Sequence, residues 1–180
     1  SLNMARAAAA QAILTGEGDV FVATDVDYCN MMEENGMVAV ADCMDATDTE
    51  FYNGFLARKD ILEERYDDVV LFLQGMYKAA EELQADPELR NEFALEFYSE
   101  NGKPADADDV AYETEVRPFL VPDDFSSSDY YLGSGTLQVG SFFASIGTIE
   151  EDQVQFIEEA INVGPLQDAL GITVQAATLE

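Results

Sequence analysis

The sequence contains no histidine, and only eight lysines and arginines stand against 37 aspartates and glutamates, so the formal net charge at pH 7 is -29. Without histidine, an imidazole general base, a Ser-His-Asp triad and the usual imidazole zinc ligands are all excluded. The shortage of cations excludes a second class. A surface of this sign repels nucleic-acid phosphates and anionic membranes rather than recruiting them, so nucleic acid is not an expected partner. Cysteine is nearly absent too. Cys29 and Cys43 are too few to build a structural zinc site, and they form either one disulfide in an oxidising compartment or two half-buried thiols. No cation lies close to Cys29 in sequence to favour the reactive thiolate, which argues against a nucleophilic role. No apolar run approaches the roughly 20 residues that span a bilayer.

What the sequence does have is apolar content of 48% over 180 residues, enough to bury the core of one domain or of one and a half. The abundant carboxylates read as a solvated surface that keeps such a chain soluble. A calcium loop, with acids at alternating positions, a central Gly and a closing Glu, does not occur. Asp106-Ala107-Asp108-Asp109 instead reads as the first turn of a helix, where negative charge suits the macrodipole.

The chain opens with an Ala-rich stretch at 7–14, a tight stop at Gly16-Glu17-Gly18-Asp19 and a short apolar strand at 20–23. Helix, glycine turn and strand so early imply that the chain starts partway through an α/β layer, as the later part of something larger. Thr24 or Asp25 is placed to cap a second helix, which Asn35-Gly36 stops by a left-handed turn, and 37–41 reads as a second strand. A third extended segment follows at 51–57, with Asn53-Gly54 as a kink.

From Arg58 onward the pattern is helical. Residues 67–83 place Val69, Val70, Leu73, Met76, Tyr77 and Ala80 at three- and four-residue spacing, the mark of one apolar face. Asp86-Pro87 starts the next helix, with a stripe of Leu89, Phe93 and Phe97. Residues 119–134 read as a surface excursion with at most one short helix, in which Tyr130 and Tyr131 either project for recognition or fold back as an anchor. Helices at 136–145, 150–161 and 165–170 close the chain, and Phe142, Phe143 and Ile146 are expected in the core by their spacing.

These segments resemble a known family. Residues 8–14, the Gly16-Glu17-Gly18-Asp19 turn and 20–24 are similar to a helix, glycine turn and strand of the second lobe of ABC-transporter solute-binding proteins of the nitrate, sulfonate and taurine type, also called SsuA-like or NMT1/THI5-like. Residues 51–60 resemble that family's return strand, and 64–83 its following long helix. Phe142-Phe143-Ala144-Ser145-Ile146-Gly147-Thr148-Ile149 and the later Pro165-Leu166-Gln167-Asp168-Ala169-Leu170-Gly171 resemble its closing pattern.

The resemblance implies an α/β chain, a fragment of the type II periplasmic binding protein fold, with a small parallel-type sheet piece followed by a mainly helical C-terminal portion. Residues 1–50 would end lobe II, 51–58 would be the return crossing strand and 59–180 the helical part of lobe I. The implied function is the non-catalytic, extracytoplasmic capture of a small polar molecule for an ABC permease in the membrane, with no cofactor. A soluble enzyme on the same fold, of the pyrimidine-precursor type, and a dimerising interaction domain completed by a second copy are the alternatives. The matching ligand positions are Asn3, Thr24, Asp25, Asp27, Tyr28, Tyr52 and Asn53. Equally, Asn3 and Thr24 serve only as helix caps, and Tyr28 and Tyr52 only pack. Asp25 and Asp27 would favour a cationic or polar ligand over an anion.

Overall fold

The computed structural model describes residues 4–23, 26–41, 54–103 and 105–179. Its contacts divide the chain into two compact units, Ser1–Asp48 with Asn91–Arg117, and Thr49–Arg90 with Pro118–Glu180.

In the first unit, α1 (Arg6–Leu14) ends where Gly16 takes a φ of 86° and Glu17 N donates to Ala12 O at 2.8 Å. Helix α2 (Val26–Glu34) ends the same way: Gly36 has a φ of 85° and Met37 N reaches Met32 O at 3.0 Å. Both are the left-handed closures that glycine accepts without steric cost. Helix α2 lies against α1 and against a later helix, residues Ala107–Val116. The side chain of Asp106 caps that helix by accepting from Asp108 N at 2.8 Å, as expected of an acidic first turn. Among the described residues of this unit, Ala10, Met32 and Val110 are the buried apolar ones.

Among the described residues, the first helices of the second unit are α3 (Lys59–Glu64) and α4 (Tyr66–Ala85). Leu73 is the buried centre of the expected α4 face, and Val69, Val70, Met76, Tyr77 and Ala80 are half-buried around it. Asp86 accepts from Leu89 N at 3.0 Å and opens α5 (Pro87–Glu100), whose later residues belong to the first unit. The Ala107–Val116 helix is then α6, and the short α7 (Pro122–Phe125) follows it. Strand β1 (Tyr131–Leu132), α8 (Ser134–Ser145), α9 (Glu151–Ala160), α10 (Gly164–Leu170) and β2 (Gln175–Ala176) complete the order. The two strands pair in parallel, Tyr131 with Gln175 and Leu132 with Ala176. Parallel pairing requires a long crossover, and α8, α9 and α10 provide it.

Two buried clusters organise this unit. One joins Phe125, Leu166 and Val174 with half-buried Tyr77, Tyr130, Leu132 and Ile172. The other joins Leu137, Val154 and Ala177 with Ile157 and Ile161. Helices α8 and α9 approach closely at Gly140, where an added Cβ would lie 2.5 Å from Ile157 Cδ1.

The described residues are therefore mostly helical with one small parallel pair, and four expectations are corrected. Residues 20–23 and 37–41 form no strand. Val20 and Val22 are 73% exposed, Val38 78% and Val40 83%. β-branched residues favour extended backbone, but a strand persists only where a neighbour takes up its amides and carbonyls, and among the described residues no ladder reaches these segments. The same holds for 54–57 of the third extended segment, whose residues 51–53 lie outside the described ones. Second, 119–134 is more than a surface excursion, since it delivers Phe125, the most deeply buried apolar residue described. Third, Phe142 and Ile146 are more than half exposed and Phe143 is 41% exposed. Helix α8 is apolar on more than one side, and the side carrying Gly140 and Ala144 admits α9 more closely than one carrying two phenyl rings. Fourth, α5 exposes Phe93 and Phe97 and turns Asn91, Ala94, Leu95 and Tyr98 inward. The hydrogen bond from Thr114 Oγ1 to Asn91 Oδ1, at 2.6 Å, accompanies that rotation.

Candidate functional site

Two of the seven expected ligand positions, Asp27 and Tyr28, fall among the described residues; Asn3, Thr24, Asp25, Tyr52 and Asn53 lie outside them. Asp27 stands in the first turn of α2, where a carboxylate complements the free amides of the helix start. Its Oδ1 accepts from Tyr28 N at 2.9 Å, and the side chain is otherwise open to solvent. Tyr28 is half-buried, its ring 6.4 Å from that of Phe21 and tilted by 57°. Packing is thus part of what Tyr28 does, whereas Asp27 presents a charge to whatever occupies the solvent beside it. Next to Tyr28 in the chain, Cys29 is exposed, and Cys43 lies outside the described residues. The amide of Asn30 Nδ2 donates to Asp109 Oδ1, tying α2 to α6 one turn beyond Asp27.

A shallow concave surface, which the sequence reading did not single out, lies at the junction of α3 and α4. It is open to solvent, with a volume of about 350 Å³ bordered by Glu63, Glu64, Arg65, Tyr66, Asp67 and Asp68. Arg65 Nε donates to Asp68 Oδ2 at 2.8 Å, and Tyr66 OH donates to Asp168 Oδ2 of α10 at 2.6 Å. That bond, with some burial and the nearby carboxylates of Asp168 and Asp67, holds the Tyr66 hydroxyl above its ordinary range. The exposed acids around it have the chemistry of a solvated helix start. Among the described residues no group of three or more Cys, Asp or Glu is placed to hold a metal ion, and no helix is long and apolar enough to cross a membrane.

The Tyr130 and Tyr131 pair divides. Tyr131 is exposed, while Tyr130 folds back against Phe125, and burial, reinforced by Tyr77, pushes its hydroxyl up to about 12 from an ordinary 10.0. A folded-state value above the unfolded one leaves stability untouched below about pH 10 and erodes it as pH rises from there toward 12, because only the unfolded chain ionises readily in that window. Tyr130→Phe is therefore expected to move the alkaline unfolding midpoint upward. In a titration of tyrosinate absorbance it removes a late ionisation at about 12, and an unchanged profile would contradict the burial of this hydroxyl.

No family model matches the chain, and no solved structure matches it. A protein of Brachyspira hyodysenteriae, named there as an ABC transporter periplasmic binding protein, is 24% identical to it over 119 residues, or 66% of this chain and 34% of that protein. The match spans about a third of the relative's length. At this coarse level, the chain is similar to an ABC-transporter solute-binding protein.

Proposed function

We propose that the chain is part of a non-catalytic, extracytoplasmic solute-binding component of an ABC-type importer, whose ligand-bound form is read by a permease in the membrane. The observation that carries this reading is the similarity to the periplasmic binding protein over two thirds of the chain. The complete absence of histidine supports it against imidazole-based catalysis.

Within that reading, the nitrate, sulfonate and taurine type is the subfamily the sequence segments favour. Residues 1–50 end the second lobe, 51–58 return, and 59–180 complete the first. The positions expected to touch the ligand on this reading are Asn3, Thr24, Asp25, Asp27, Tyr28, Tyr52 and Asn53. The solvent-facing carboxylate of Asp27 favours a cationic or neutral polar solute, since an anion beside it would be repelled.

A thermal-shift screen of the gene product as encoded tests this, using polyamines, amino acids, sulfonates and pyrimidines. Ligand present at 100 times its Kd stabilises by about 2.7 kcal/mol, which moves the melting temperature by several degrees. The expected hit is a cationic or polar solute whose effect weakens about tenfold in affinity in Asp27→Asn, the loss of one charge-assisted contact. Indifference to all four classes would count against the proposal, and a sulfonate hit insensitive to Asp27→Asn would overturn the ligand class.

A further inference from the structure

We draw no further inference here: the strongest candidate, the apolar surface that Phe55, Leu56, Leu71 and Phe72 leave open along α4, carries nothing because no feature of the structure shows what covers it.

Discussion

Replacing Phe125 by alanine is expected to remove about 3–5 kcal/mol of stability, a large share of the 5–15 kcal/mol typical of a folded domain. Phe125 is 2% exposed and sits with Leu166 and Val174 in the first buried cluster. Its ring meets Tyr77 edge-on at 5.0 Å and Tyr130 edge-on at 5.1 Å, the arrangement aromatic quadrupoles favour by about 0.5–1.5 kcal/mol per pair beyond area burial. Helix α7 has four residues, too few to be stable alone, so the ring is what anchors that segment to α4 and α10. Chemical denaturation followed by circular dichroism measures the loss, and Phe125→Leu, which keeps most of the apolar volume, is expected to lose clearly less. The same substitution opens Tyr130 to water, so in Phe125→Ala its ionisation should fall back from about 12 toward 10.0. A cost below about 1 kcal/mol, with Tyr130 still titrating late, would mean that this cluster is not the core.

The second large effect belongs to Gly133, the residue that joins β1 to α8. Its φ of 86° lies in the left-handed region, which an L side chain enters at a cost of roughly 1–2 kcal/mol. An added Cβ would also lie 2.5 Å from Ile161 Cδ1 and 2.7 Å from its Cγ1, a clash that overpacking experience puts at about 1–3 kcal/mol. Gly133→Ala is therefore expected to destabilise by about 2–5 kcal/mol. It should also loosen the β1–β2 pair, where Ala177 N donates to Leu132 O at 3.0 Å. The two causes separate in a double-mutant cycle. Shortening Ile161 to alanine in the Gly133→Ala background relieves the clash but leaves the backbone strain, so the pair should couple by about 1 kcal/mol or more. Strict additivity would show that Ile161 does not limit the space above this glycine.

Helix positions were readable wherever a local device marked them. Asp86 with Pro87, Asp106 with its acidic first turn, Asn35-Gly36 and Gly16 each act on backbone groups within a few residues, so the information lies where the reading looks for it. The α4 stripe was readable because its apolar residues keep to one face. Helices α5 and α8 were misread because apolar residues occupy neighbouring faces, and which face packs depends on partners remote in sequence: Asn91 with Thr114 on one, Gly140 with Ile157 on the other. Segments 20–23 and 37–41 have strand-forming residues, but a ladder is a non-local bond between two segments, and propensity says nothing of whether the second is beside the first. Phe125 and Tyr130 were hidden by the prolines and serines around them, which signal a loop and are silent about what the loop buries. The expected ligand positions came from resemblance and not from a local device: Asp27 stands in the first turn of α2 and Tyr28 packs on Phe21, and neither observation bears on a ligand.

The solute-binding account stands most directly on a calorimetric titration of the encoded protein with the best-stabilising polar solute, followed by mass analysis of the recovered ligand. The account predicts saturable binding at one ligand per chain, weakened about tenfold in Asp27→Asn, with the ligand returned chemically unchanged. Absence of binding heat with every stabilising solute, or recovery of a transformed product, would contradict it.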